Sequence, residues 1–131
     1  MPFEPHGEYS IFRRGDIIVI RFLGSWNLPG AQAFMERYKT FVAENGMTRF
    51  GVLSDLSGLE GGTPDGIEYF QRISDWAQEN GQAARAMILD SALKNYIIRL
   101  VDAGKDRFPS RIVADDEEAF AWFEGLGLST G

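Results

Sequence analysis

The sequence contains no cysteine, and His6 is the only histidine among its 131 residues. The lack of cysteine excludes disulfide bonds and thiolate chemistry. A zinc site or a Ser-His-Asp triad also lacks the side chains that it needs. His6 stands between Pro5 and Gly7 in a predicted N-terminal arm, and we interpret it as a solvated residue without a mechanism. We therefore expect no catalytic residues, no metal site and no cofactor.

Long apolar runs are absent as well. No stretch approaches the roughly 20 consecutive apolar residues that span a bilayer. The first ten residues, MPFEPHGEYS, lack the basic region followed by an apolar segment that marks a signal peptide. We therefore expect a cytoplasmic protein.

Basic residues are outnumbered, with 13 Lys and Arg against 19 Asp and Glu, and the net charge is −6. Since nucleic-acid binding requires clustered Lys and Arg, this balance disfavours a nucleic-acid partner. It also disfavours electrostatic adsorption to an anionic membrane. Two pairs of acids offer material for acid–base chemistry. The pair Asp115 and Asp116 is better explained as helix capping, and nothing further supports a glycosidase-like role for Asp55 with Glu60.

The remaining pattern is that of one folded domain. Apolar, β-branched stretches alternate with segments of helical spacing in the order ββαβαβαβα. This order predicts a single α/β domain with a mostly parallel sheet, an antiparallel edge hairpin and helices packed against the sheet. We expect a loose arm at residues 1–7, the domain at residues 8–125 and a tail at residues 126–131. The predicted strands cover residues 8–12, 16–23, 50–56, 85–89 and 110–114.

The third predicted helix, capped by Ser91 and ended by Gly104, is crowded with apolar residues. The residues that we expect to face inward are Leu93, Tyr96, Ile97, Leu100 and Val101. Ile98 directly follows Ile97, so one of the two is expected to point away from the core. That residue would serve as a groove wall, a contact in a homodimer or a residue that touches a membrane.

Residues 54–70, SDLSGLEGGTPDGIEYF, connect the third predicted strand to the second predicted helix. Glycines between a strand and a helix are typical of phosphate-binding loops. However, the spacing matches neither GxxxxGK[ST] nor GxGxxG, and the segment has no lysine. Thr63 is instead a predicted N-cap, with Pro64 at N1 and Asp65 at N2. The segment therefore predicts a capped strand-to-helix connection rather than a nucleotide site.

The element order and this segment together resemble the STAS domain, the fold of bacterial anti-sigma-factor antagonists. The chain is most similar to the SpoIIAA-like group of small proteobacterial proteins, whose fold is related to the CRAL-TRIO lipid-transfer domain. The family's segment reads loosely DLSGV, two or three apolar residues, then DSSGL. Residues 55–59, DLSGL, match the first part, and Gly66-Ile67 fall on the final Gly-Leu. Residues 115–123, DDEEAFAWF, resemble the acidic-then-apolar last helix of the group.

The chain departs from the family where the Asp-Ser-Ser motif falls on Thr63, Pro64 and Asp65. In the antagonists the second serine accepts phosphate from a partner kinase, whereas Asp65 has no hydroxyl. The phosphorylation switch therefore does not carry over, and we expect no regulation by phosphorylation at this segment. Two interpretations of Asp65 remain. It favours the helix dipole, or it is a fixed charge in the place of the phosphate that holds one partner-binding state.

The resemblance implies a non-enzymatic regulatory module that binds a protein partner through this segment and the start of the second helix. The candidate binding residues are Gly61, Gly62, Thr63, Asp65, Gly66 and Tyr69. The relationship to lipid-transfer folds implies an alternative, a carrier or sensor of a small apolar, lipid-like ligand with peripheral membrane contact. Its candidate lining residues are Tyr69, Phe70, Trp76, Tyr96 and Ile98. Trp26, between a strand and a helix, is either a plug at the end of the sheet or part of a ligand groove.

Overall fold

Five strands and four helices alternate along residues 4–131, the part of the chain that the computed structural model describes. They are β1 (Glu8–Arg14), β2 (Ile17–Trp26), α1 (Leu28–Glu44), β3 (Phe50–Gly62), α2 (Pro64–Glu79), β4 (Gln82–Ile88), α3 (Ala92–Asp102), β5 (Ser110–Val113) and α4 (Asp116–Gly125). The strands form one sheet in chain order. β1 pairs antiparallel with β2, and all other neighbours pair parallel. The predicted fold class is confirmed.

The alternation of side chains along β2 divides the core in two. Ile18 and Ile20 point to the face that α1, α2 and α3 cover, whereas Ile17 and Val19 point to the face that α4 covers. Consecutive residues of a strand face opposite sides of the sheet, so an unbroken apolar run such as IIVI is typical of a strand buried on both faces. On the second face α4 packs against the sheet mainly through Phe123, which is fully buried.

The third strand is longer than the sequence predicts, which corrects the expectation of a loop after Leu56. β3 continues to Gly62 because β2 also continues, to Trp26, and the two remain paired over this length. A Cβ at Gly58 would lie 2.4 Å from Cδ2 of Leu23, so glycine permits the close approach of the two strands. The glycines therefore belong to an extended strand that leads directly into α2.

The inward face of α3 is narrower than predicted. Ile97 and Val101 are buried, but Leu93, Tyr96 and Leu100 are 61%, 58% and 42% exposed. The expectation that these three residues face the core is wrong. α3 packs chiefly against α2, and a helix with one main neighbour buries only a narrow stripe.

Both ends of the described chain contact the domain. His6 exchanges hydrogen bonds with Asn27, the N-cap of α1, although the His6 side chain is exposed. At the other end Leu128 is buried beside α4, and the Ser129 carbonyl accepts from the Asp16 N–H at 2.8 Å. Residues 1–3 of the predicted arm lie outside the described residues. Within residues 4–131, none of the helices has both the length and the hydropathy that a bilayer crossing needs.

Gly51 offers a test of the packing between the sheet and α4. A Cβ at this position would lie 2.7 Å from Cε1 of Phe123 and 3.0 Å from Cδ1 of Ile17. Since both neighbours are fully buried, Gly51→Ala is expected to lower the free energy of unfolding by about 1–3 kcal/mol. Urea denaturation measures the change.

The matched control for this packing test is Gly125→Ala, at the end of α4. Nothing lies within 4 Å of a Cβ there, so the free energy of unfolding is expected to change by less than about 0.5 kcal/mol. Equal effects of the two substitutions would contradict the close packing of α4 on β3.

Candidate functional site

The side chains of Thr63 and Asp65 cap the start of α2. The Thr63 hydroxyl accepts from the Gly66 N–H at 3.3 Å and donates to the Asp65 carboxylate at 2.7 Å. The same Asp65 oxygen accepts from the Gly66 N–H at 2.8 Å. The predicted N-cap is confirmed, and Asp65 also contributes to capping. These contacts fix the Asp65 carboxylate near the positive end of the helix dipole.

The candidate residues at the junction of β3 and α2 differ in exposure. Thr63 and Asp65 are exposed, and Gly61 and Gly62 are half-buried at the end of β3. Gly66 is buried, and a Cβ at this position would lie only 2.8 Å from the Asn27 carbonyl carbon. Gly66 therefore packs the start of α2 against the start of α1 and does not present a surface to a partner.

A charged cluster between β2, β3 and α4 was not recognised in the sequence. Arg21 of β2 donates to Asp55 of β3 at 2.9 Å and to Asp116 of α4 at 2.7 Å. Asp55 also accepts from the Ser57 hydroxyl at 2.6 Å. The cap of α4 is Asp115, as predicted, which leaves Asp116 free to pair with Arg21. Within the DLS motif, Asp55 thus takes part in the ion-pair cluster that joins the sheet to α4, and Ser57 donates to the Asp55 carboxylate.

The cluster stabilises the ionised carboxylate of Asp55. Burial acts to raise the pKa of Asp55, but hydrogen bonds from Ser57 and Arg21 outweigh burial and lower the pKa below its ordinary value. The hydrogen bond to Asp116 raises the pKa of Arg21 against the opposing effect of burial. Both charges are therefore present across the physiological pH range.

A cavity of about 100 Å³ lies between the sheet and the helices α1, α2 and α3. Its floor includes residues of three neighbouring strands, Ile20 of β2, Val52 of β3 and Arg85 of β4, and Val52 lies opposite Arg85. Its walls are almost entirely apolar, and the side chains from the helices are Phe34, Tyr38, Ile67, Phe70, Ile73, Ser74, Ala77, Ile97, Ile98 and Val101. The space lies above the sheet and is bordered by α2 and α3.

The structure brings some of the candidate lining residues together and separates others. Trp26, Phe70 and Ile98 line the cavity, as does Gly61 from the junction. Tyr69 and Trp76 pack against the surrounding core instead. Tyr96 is exposed because it lies on the outer side of α3, so its prediction as a lining residue is wrong.

Trp26 fills the end of the sheet, and it also borders the cavity. Its indole N–H donates to the Leu23 carbonyl at 3.0 Å, and its ring packs against Phe22, Phe34 and Phe70 at centroid distances of 5.5–5.8 Å. It therefore fills the end of the sheet, and part of its ring also borders the cavity.

Two polar side chains of the cavity wall were missed in the sequence. The Tyr38 hydroxyl and Nε of Arg85 are buried and have no hydrogen-bond partner within the described residues. Burial raises the pKa of Tyr38, so the hydroxyl stays protonated. A buried donor without a partner costs about 1–3 kcal/mol. The signal for Arg85 was a charged residue at the start of the apolar strand RAMIL. Tyr38 has no such signal, because an aromatic residue at helical spacing is an ordinary core residue.

Arg85 is anchored by an ion pair with Asp102 at the end of α3. Both Nη atoms lie 2.9 Å from the two oxygens of that carboxylate. The bidentate geometry fixes the plane of the guanidinium group and connects β4 to α3. One edge of the cavity is therefore set by a charged pair rather than by apolar packing.

The fold is that of SpoIIAA-like, STAS-type proteins. A protein of the DUF3478 family with a SpoIIAA-like fold from Shewanella loihica PV-4 matches at a TM-score of 0.67 and 15% identity, over 91% of this chain and 94% of that chain. The phosphorylated form of the Bacillus cell fate determinant SpoIIAA matches at 0.61 and 13% identity, over 90% and 99%. An anti-sigma factor antagonist from Mycobacterium paratuberculosis matches at 0.60 and 14% identity, over 91% and 95%.

These similarities extend over nearly the whole of each chain. At 13–15% identity they show a shared fold and nothing further. No protein-family model matches the sequence. No curated protein matches it either. The function is therefore argued from the junction and the cavity.

The lowered pKa of Asp55 has a consequence for stability. Because this pKa is lower in the folded than in the unfolded state, the carboxylate stabilises the fold above about pH 4, the ordinary pKa of aspartate. The contribution is lost as the pH falls further. Asp55→Asn is expected to lower the free energy of unfolding by about 1–3 kcal/mol at pH 7, since Arg21 loses a charged partner. The difference from wild type should shrink below pH 4.

Urea denaturation between pH 7 and pH 3 measures this dependence. The control is Glu36→Gln, an exposed acid of α1 that forms no ion pair within residues 4–131. It should leave the stability unchanged at every pH. A cost of Asp55→Asn that is independent of pH would contradict the role of the carboxylate charge.

Proposed function

We propose that the chain is a non-enzymatic binding module that contacts a protein partner through the junction of β3 and α2. The observation that carries this proposal is the Asp65 carboxylate, exposed and held by Thr63 and the helix start. The fold agrees with such a role, since its structural neighbours include anti-sigma factor antagonists. The partner surface would supply a cation opposite Asp65.

In this proposal the junction stays in one partner-binding state and is not switched by phosphorylation. Asp65 has no hydroxyl to phosphorylate, and the Thr63 hydroxyl is engaged with Asp65 and Gly66. A carboxylate carries about half the charge of a phosphoserine, so it imitates a phosphate only in part. Partner choice would then be set by the sequence of the junction and not by a kinase.

The proposal is tested by affinity capture from a lysate of cells that make the protein. A double variant, Asp65→Arg with Tyr69→Ala, should reduce the recovery of a specific partner at least tenfold, because it reverses the fixed charge and removes an adjacent aromatic contact. Glu36→Arg, a charge reversal on the exposed side of α1, is the matched control and should retain the partner. If every specific partner remains bound to the double variant, the assignment of the surface is wrong.

A second candidate function, the binding of a small apolar ligand, is favoured by the cavity. An engineered apolar cavity of about 150 Å³ stays dry and binds benzene or xenon. The cavity of about 100 Å³ is smaller, so it accepts a compact apolar group. A long acyl chain would fit only if α2 and α3 moved apart.

Nuclear magnetic resonance of the ¹⁵N-labelled chain under xenon pressure tests this second function. Xenon is expected to shift the amide signals of residues around the cavity. Ala77→Leu, which fills the cavity from α2, should abolish the shifts, whereas Ala121→Leu, on the exposed side of α4, should retain them. An absence of shifts in the wild-type chain would exclude ligand binding at this cavity.

A further inference from the structure

The strand β1 forms an open edge of the sheet. It stands first in the strand order, and β2 is its only hydrogen-bonded neighbour among the described strands. The edge is seven residues long and contains no proline, no glycine and no break in its register with β2. The opposite edge, β5, has only four residues. Because short strands, prolines and bulges are the usual means of protecting an edge, β1 is the less protected of the two described edges.

Alternate residues of β1 direct their main-chain N–H and C=O groups away from β2. A two-residue turn with a glycine of positive φ joins the two strands, so the residues that flank it, Arg14 and Ile17, form a hydrogen-bonded pair. Hydrogen-bonded and non-hydrogen-bonded pairs alternate along an antiparallel ladder. Tyr9, Ile11 and Arg13 therefore lie in the non-hydrogen-bonded pairs, and their main-chain groups point to the open edge.

The two ends of β1 carry opposite charges. Glu8 and Arg14 are both exposed, and neither forms an ion pair within residues 4–131. Nε of Arg14 donates to the Thr130 carbonyl at 2.8 Å, so a main-chain oxygen rather than a carboxylate holds this arginine. In an antiparallel pair of two β1 strands centred on Ile11, Glu8 of each copy lies opposite Arg14 of the other. Opposite charges at facing positions stabilise such a pair.

The main chain and an exposed aromatic side chain favour the same register. With Ile11 opposite Ile11, and Tyr9 opposite Arg13, the residues whose main-chain groups point outward face one another. Phe12, opposite Val19 of β2, is 42% exposed on the side of the sheet that α4 covers. It lies diagonal to Phe12 of the second copy in this register, and diagonal neighbours about 7–8 Å apart are within reach of aromatic side chains. A register centred on Arg13 would instead place that arginine opposite itself.

We propose that the chain forms a homodimer by antiparallel pairing of two β1 strands about Ile11, so that two sheets become one continuous sheet. Ile11 exchanges main-chain hydrogen bonds with its own copy, and Tyr9 exchanges them with Arg13. The two-fold axis is perpendicular to the sheet, so the junctions of β3 and α2 point in opposite directions and both stay free. The dimer is therefore independent of the function proposed for the junction. Because a single strand pair is a small interface, we expect a weak dimer that depends on protein concentration.

Sedimentation velocity of the full chain tests the proposal, and a dimer is expected within the range up to about 1 mM protein. Glu8→Arg and Arg14→Glu each place like charges at both ends of the strand pair, so each should weaken the dimer about tenfold. Glu36→Arg, the same charge reversal on the exposed side of α1, is the matched control and should leave the dissociation constant within about twofold.

An equal mixture of the two charge-reversed chains separates a contact between copies from an effect within one chain. In a mixed dimer each end of the strand pair again joins an arginine to a glutamate, so the mixture should regain the affinity of the wild-type chain while each variant alone stays weak. A mixture that does not regain affinity would overturn the proposal, as would a wild-type chain that stays monomeric up to about 1 mM.

A proline variant tests the main-chain pairing, and it replaces the mixture should Arg14→Glu not fold. Arg13→Pro removes an N–H that points to the open edge, where proline is tolerated in a strand. It should abolish the dimer and leave the circular dichroism spectrum of the monomer unchanged. A dimer that persists in this variant, or that ignores both charge reversals, would place the contact on another surface, such as the exposed Leu93, Tyr96 and Leu100 of α3, and would overturn the proposal.

Discussion

The pairing of β2 with β3 along their full lengths is the constraint on which the rest of the structure depends. It begins at Ile17 opposite Gly51 and ends at Trp26 opposite Gly62. Because both strands end at the same level, α1 and α2 begin side by side, and the Thr63 N–H donates to the Trp26 carbonyl at 2.8 Å. The same pairing sets Arg21 beside Asp55, which positions the start of α4 on the opposite face.

The cavity follows from this pairing and from one further connection. α2 is placed by the end of β3, whereas the end of α3 is placed by the ion pair of Arg85 with Asp102. Between them the apolar side chains of α2 and α3 do not fill the space above the sheet.

The sequence predicted the parts of the structure that have local signals. Strand runs, the caps Thr63, Ser91 and Asp115, and the order of elements follow from spacing and capping chemistry. The glycine-rich half of β3 has no local signal of a strand, because glycine suits loops as well as closely paired strands. Only the partner strand decides between the two.

The polar side of the cavity depended on information that no local pattern contains. Tyr38 and Arg85 meet the cavity from α1 and β4, and their relevance rests on which donors remain without a partner after folding. The outward position of Tyr96 likewise depends on how many neighbours α3 has. The candidate site could therefore be predicted near the junction, where sequence neighbours are also spatial neighbours, but only in part at the cavity.

The narrow buried stripe of α3 has a consequence for the way in which the domain opens. Ile97 and Val101 are the buried apolar residues of this helix, and much of the rest of its attachment is polar. Lys94 donates to the Ser57 carbonyl, and Gln71 of α2 donates to the Leu100 carbonyl. Detaching α3 exposes little apolar surface, so its amide hydrogens should exchange through a local opening that leaves β2 and β3 paired. The helix that covers the cavity thus has only a small share in the cooperative unfolding of the domain.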